Sequence, residues 1–160
     1  MESSEEIRNK YRPDSVSTLF VGESPPANGT FFYKGDSRLF RYTCEAFGCS
    51  TADVSSFLSE FKSQGFFLVD LCSTPVNNLP PRERRRARNA GVPRLAREIE
   101  ELQPKAIVVV MKAIADHVHR ALGDSGLRPE QVHVLPFPAQ GHEPEYVSLL
   151  SALLRSLPRT

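Results

Sequence analysis

The sequence predicts an α/β protein, a three-layer α/β/α sandwich around a four-stranded parallel sheet. Four short apolar runs recur along the chain, and the stretches between them carry apolar residues at helical spacing. The runs are close to continuously apolar, as expected of parallel strands covered on both faces and joined by right-handed helical crossovers.

The first strand is expected over 17–22, after a polar segment containing Tyr11-Arg12-Pro13 that reads as coil or a short helix. A helix over 37–47 stops at Gly48, which suits a C-terminal cap. The next helix begins near Thr51, where Ser50 to Asp53 resembles a capping box, and Val54, Phe57, Leu58 and Phe61 form its core-facing stripe. Phe66 to Cys72 is the second strand, interrupted by Asp70. Pro80 and Pro81 suit the first turn of a helix through the arginine run to Asn89. Gly91 and Pro93 are expected to break it before a new helix carrying Leu95, Ile99 and Leu102. Ala106 to Met111 is the third strand, followed by a helix over 112–122 that ends at Gly123. Val132 to Leu135 is the fourth, and a closing helix from Glu145 to Leu157 turns Val147, Leu150, Leu153, Leu154 and Leu157 inward.

Composition narrows the class. At 160 residues and 40% hydrophobic content, the chain suits one domain with an adequate core. No stretch approaches the ~20 apolar residues that span a bilayer. The acidic start Met1-Glu2-Ser3-Ser4-Glu5-Glu6 lacks the basic and apolar regions of a signal peptide, so the expected location is the cytoplasm, with no membrane partner. Cys44, Cys49 and Cys72 fit neither a disulfide scaffold nor a metal knuckle and read as reduced thiols. No metal and no cofactor is expected. A net charge of +1 means that any nucleic-acid affinity comes from local patches.

A parallel sheet gathers its chemistry at the carboxyl ends of its strands. Those loops hold Glu23-Ser24-Pro25-Pro26, then Asp70 with Ser73-Thr74-Pro75-Val76-Asn77-Asn78, then Lys112, and finally Pro136 to His142. The first loop is followed by Phe31, Phe32 and Tyr33, whose rings can offer a flat face to a base. No glycine-rich phosphate loop and no HExxH pattern occurs. Between 82 and 88 lie five arginines, of which Arg82, Arg85 and Arg86 share one helical face that can bind phosphates. Bland roles stay open for each: Glu23 capping a turn, Phe32 in the core, Asp70 a buried hydrogen-bonding acid, His142 plain surface, and the arginines a solvated face paired with nearby glutamates.

The order of these motifs resembles the uracil-DNA glycosylase superfamily, especially its Gly-Glu-Ala-Pro-Gly branch. Gly22, Glu23 and Pro25 stand where that motif ends the first strand, and Phe32 stands where a phenylalanine stacks on the flipped base. Asp70 takes the place of an asparagine that reads the pyrimidine edge, before Pro75-Val76-Asn77-Asn78. Pro104-Lys105 and the apolar run after it match the third-strand motif, and Phe137-Pro138-Ala139 lines up with the family's His-Pro-Ser. The resemblance covers about residues 17–157. Three departures stand out: an acid replaces the amide at 70, a phenylalanine replaces the histidine at 137, and the iron-sulfur cysteines of the branch are missing.

What the resemblance implies is a monomeric DNA-repair glycosylase. It would hydrolyse the N-glycosidic bond of uracil or another altered base flipped out of DNA, with single-stranded or damaged DNA among its partners. Glu23 would position the attacking water or oppose the cationic sugar, with His142 substituting for the lost histidine. Phe32 would stack on the base beside Phe31 and Tyr33, Asp70 would read its edge, and Arg82, Arg85, Arg86, Pro25 and Pro138 would contact DNA. An acid at 70 accepts only, unless protonated, so it favours an exocyclic amino group over the O4 of uracil. Two other classes remain: a non-catalytic nucleic-acid- or nucleotide-binding module on the same fold, and a small-molecule hydrolase using Glu23 and Asp70 as paired carboxylates.

Overall fold

The computed structural model describes residues 2–50 and 52–160. Among these residues four parallel strands form one sheet in the order β2-β1-β3-β4: β1 Thr18–Gly22, β2 Phe66–Asp70, β3 Ala106–Val109 and β4 Gln131–Val134. Every residue of the first three is buried, whereas β4 at the sheet's edge is half-buried. Among the described residues six helices accompany them: α1 Ser4–Lys10, α2 Arg38–Ala46, α3 Val54–Ser63, α4 Pro81–Leu102, α5 Ala115–Ser125 and α6 Glu143–Leu153. The helices α4 and α5 pack on each other, as do α2 and α6, giving the helical layers of the expected α/β/α sandwich. Among the described residues no helix is long and apolar enough to cross a membrane.

Register decides where the chemistry gathers. Gly22 lies opposite Asp70, Val21 opposite Val109, and Val109 opposite Val134, so all four strands end at one level. The ladder continues a step further through Leu71 N–H to Gly22 O at 2.8 Å, Cys72 N–H to Glu23 O at 2.8 Å and Leu135 N–H to Val109 O at 2.8 Å. The loop residues 23, 70–72 and 135 therefore leave the sheet from fixed backbone positions.

Several helix boundaries differ from the sequence expectation, each for an identifiable reason. The residues 81–102 form one helix, uninterrupted at Gly91 and Pro93. Gly91 is a close-approach residue: a Cβ there would fall 2.1 Å from the Leu71 carbonyl oxygen. The burial of Val92, Leu95, Ala96 and Ile99 sustains the helix against the proline at 93. The helix α3 is capped by Asp53, whose side chain accepts from Ser56 N–H at 3.2 Å, while Ser50 Oγ accepts from Ala52 N–H. The expected start at Thr51 lies outside the described residues. Lys112–Ile114 form a 3-10 turn before α5, which runs through Gly123 to a left-handed cap at Gly126. The closing helix starts two residues early at Glu143 and ends at Leu153, turning Tyr146 and Leu150 inward. The N-terminal segment is helical as α1, closed by a capping box between Ser3 and Glu6.

Candidate active site

At the carboxyl edge of the sheet lies a cleft of about 730 Å³. Glu23, Phe31, Phe32 and Asp70 line it together, with the loop Pro136–His142 contributing Pro136, Phe137, Ala139, Gln140 and His142. Two loops are stitched to each other at its rim. Asn77 Oδ1 accepts from Ala27 N–H at 2.9 Å, and Ser24 Oγ accepts from Val76 N–H at 3.3 Å. The prolines Pro25 and Pro26, also in the lining, stiffen the first of these loops.

Glu23 is 6% exposed and bound on both oxygens. Arg84 donates through Nε to Oε2 at 2.8 Å and through Nη2 to Oε1 at 2.5 Å, a fork-on-fork pair, while Arg88 Nε donates to Oε2 at 2.6 Å. Positions 84 and 88 are one helical turn apart, so α4 presents both guanidiniums on one face. Burial works against the Glu23 charge, but the hydrogen bonds and charges of the two arginines outweigh it and hold the carboxyl below its ordinary range.

Asp70 is equally buried and differently treated. Arg94 Nη2 donates to the main-chain oxygens of Asp70 and Leu71 at 2.8 and 2.9 Å, closing the end of β2. The Asp70 carboxylate itself accepts no hydrogen bond from the described residues; its nearest cation is Arg8 Nη2, 3.9 Å from Oδ2. Burial pushes this acid up to about 6, with Arg8 and Arg94 acting in the opposite direction.

The aromatics divide. Phe31 and Phe32 line the cleft, Phe31 anchored by its N–H to Asp36 Oδ1 at 2.8 Å and Phe32 packed edge-on against Phe40 and Tyr33. Tyr33 lies behind them in the core. Its hydroxyl accepts from Leu68 N–H at 2.7 Å and donates to Leu68 O at 2.9 Å, satisfying the free edge of β2 as a further strand would. His142 stands at the cleft mouth just before α6, its side chain 59% exposed and its Nδ1 3.7 Å from Glu145 Oε2. Phe137 is half-buried, and Pro138 is buried next to it. Arg82, Arg85 and Arg86 are exposed on α4, outside the cleft lining. Cys44 and Cys72 are buried and Cys49 is exposed, all three as free thiols. Among the described residues no group of three or more His, Cys, Asp or Glu side chains is placed to hold a metal ion.

Sequence reasoning did not single out Arg84, Arg88, Arg94 or Arg8. For the first two a signal existed: an acid destined for burial at a strand end needs a counter-charge, and an i, i+4 pair within the arginine run can supply it.

Four parallel strands, an acid-bearing loop after the first, and an aromatic pair lining one cleft with a second acid define the class of fold and site. The family model described as Uracil DNA glycosylase superfamily matches residues 9–145, so the chain belongs to that superfamily. No curated protein matches the chain.

Proposed function

We propose that the protein is a DNA glycosylase that hydrolyses the N-glycosidic bond of uracil or another altered base flipped out of DNA. The observation that carries this reading is that Glu23, Phe31, Phe32 and Asp70, drawn from two strand ends and the segment between them, line one cleft. An extruded base stacks on the Phe31 and Phe32 rings and meets Asp70 along its polar edge. Glu23, kept ionised by Arg84 and Arg88, faces the sugar, where a fixed negative charge favours the oxocarbenium-like transition state and orients the attacking water. Because the guanidiniums already fix the carboxylate, little reorganisation is needed when the sugar charge develops. Phe137 cannot donate to the departing base, and with Arg84 and Arg88 bound to Glu23 the other donors lining the cleft, Arg38, Lys112 and His142, are the groups left to balance its charge. DNA outside the cleft rests on the exposed Arg82, Arg85 and Arg86 and on the loops of Pro25 and Pro138.

A second reading has its own observation. The two arginines occupy most of the accepting capacity of Glu23, as expected of a structural ion pair in a binding module that recognises a base without releasing it. A panel of single- and double-stranded oligonucleotides bearing different altered bases, scored for abasic sites, separates the two. Abasic sites at one or more bases support the glycosylase, and binding without release on every substrate supports the module.

A further inference from the structure

We infer that Arg8, carried on α1, is a positioning residue for Asp70 that keeps this acid a hydrogen-bond acceptor and so decides which base edge the cleft reads. The inference rests on the reading of Asp70 as the edge-recognition group.

The helix α1 buries none of its residues, yet it is well formed, with both reciprocal bonds of its capping box present. Its attachment runs through side chains. Ile7 and Tyr11 lie against the core, the Tyr11 ring stacks on Tyr33 with centroids 6.0 Å apart, and Lys62 Nζ donates to Lys10 O at 3.1 Å. These contacts dock α1 beside the residue that satisfies the free edge of β2. From there Arg8 reaches inward. Its guanidinium lies 5.6 Å from the Phe31 ring centroid and 3.9 Å from Asp70 Oδ2, and its Nε is buried with no hydrogen-bond partner among the described residues. An arginine left with an unpaired buried donor is held there by its neighbours' charge and ring rather than by a full set of hydrogen bonds.

The acid is confined from the other side as well. Asp70 Oδ1 occupies the space that a Cβ on Gly22 would need, at 2.8 Å, so the carboxylate sits between a bare glycine and the Arg8 cation. Arg94 fixes the main chain behind it, and the carboxylate lone pairs are left for a ligand N–H. The charged groups that act on Asp70 are Arg8 from α1, Arg94 and Glu98 from α4, and Glu23 after β1; Arg38, Arg84, Arg88, Lys112 and His142 line the same cleft. Among them Arg8 is the strongest influence opposing the effect of burial. With Arg8 in place the ionised acid accepts from an exocyclic amino group and repels a carbonyl oxygen at the same position. Without it the acid holds its proton at higher pH and donates instead, which suits a carbonyl such as the O4 of uracil.

The test uses the full chain with carbon-labelled aspartate, following the Asp70 carboxyl by NMR from pH 4 to 9 in wild type, R8M and R8K. The expected midpoint is about 6 in wild type, about one unit or more higher in R8M, and returned most of the way by R8K. The same proteins are assayed for base release across that pH range on oligonucleotides bearing uracil or an amino-substituted base. R8M is expected to shift preference toward uracil by about tenfold between the two midpoints, because one unit of midpoint is tenfold in protonation. Should R8M not fold, R8Q takes its place in both arms. An unmoved Asp70 midpoint overturns the inference, as does a moved midpoint with unchanged base preference. A moved midpoint in a protein that neither binds nor releases any base overturns Asp70 as the edge reader, and the inference with it; the titration distinguishes that failure from the others.

Discussion

Replacing Gly91 with alanine sets two effects of opposite sign against each other. In a helix interior alanine is better than glycine by about 1 kcal/mol. In α4, however, the added Cβ falls 2.1 Å from the Leu71 carbonyl oxygen and 3.0 Å from its carbon. Carbon and oxygen in ordinary contact stand about 3.3–3.6 Å apart, so the helix and the end of β2 must separate by roughly 1 Å. Leu71 has little freedom to retreat: its oxygen accepts from Arg94 at 2.9 Å and its N–H is bonded to Gly22 O at 2.8 Å. Overpacking of this kind costs about 1–3 kcal/mol, and a backbone obstacle belongs to the upper part of that range. After the helix-propensity gain, G91A is expected to be about 1–2 kcal/mol less stable than wild type, a Tm lower by roughly 2–8 °C for a domain of this size. The same displacement moves Arg84 and Arg88 away from Glu23, so ligand binding in the cleft weakens as well. The control is G123A, since among the described residues no atom outside its own helical turn lies within 4 Å of the Cβ that would be added at that glycine. G123A should gain up to ~1 kcal/mol. Urea and thermal denaturation of the three proteins decide the matter. If G91A gains stability as G123A does, the close approach of α4 to Leu71 is wrong.

Burial holds the folded Asp70 near 6, above its ordinary value of about 3.9, so stability declines as pH rises between the two and the full penalty stands above pH 6. D70N should therefore be about 1–3 kcal/mol more stable than wild type at pH 8, with no advantage below pH 4, and should shift preference toward uracil; urea titrations that find the advantage only at low pH would reverse the assignment. Y33F strands the Leu68 N–H and carbonyl at the sheet edge and should cost about 1–3 kcal/mol in chemical denaturation while leaving base preference unchanged; an altered preference would return Tyr33 to the cleft. Alanine at Arg82, Arg85 and Arg86 together should weaken DNA binding and flatten its salt dependence, with the denaturation profile intact. Unchanged binding at low salt would make those arginines a solvated face.

The strands were legible because a buried parallel strand leaves a run such as Phe66-Phe67-Leu68-Val69 that few other environments tolerate. Punctuation by glycine and proline was less dependable. Gly48 and Gly126 adopt positive φ and end helices, whereas Gly91 sits inside α4 because another backbone passes against it, and the local sequence does not distinguish the two uses. The two acids of the cleft were visible as charged residues ending apolar strands. Their partners were not, because Arg84 and Arg88 reach Glu23 across 61 and 65 residues of chain and Arg8 reaches Asp70 from the other direction. Nor does a run of three aromatics announce which members face the cleft. The 3-10 turn over Phe32–Lys34 sends the Tyr33 hydroxyl to the edge of β2 while Phe31 and Phe32 remain at the pocket wall.

The central claim is that the fixed negative charge of Glu23 supports base release, and the substitution that removes the charge but keeps the shape tests it most directly. Wild type and E23Q are compared in single-turnover reactions on the best oligonucleotide from the altered-base panel, with DNA affinity measured in parallel. The account predicts base release by wild type, a loss of about 10²–10³-fold in E23Q, and DNA affinity nearly unchanged. Equal release rates in the two proteins, or a wild type that binds DNA and releases no base from any substrate, would contradict it.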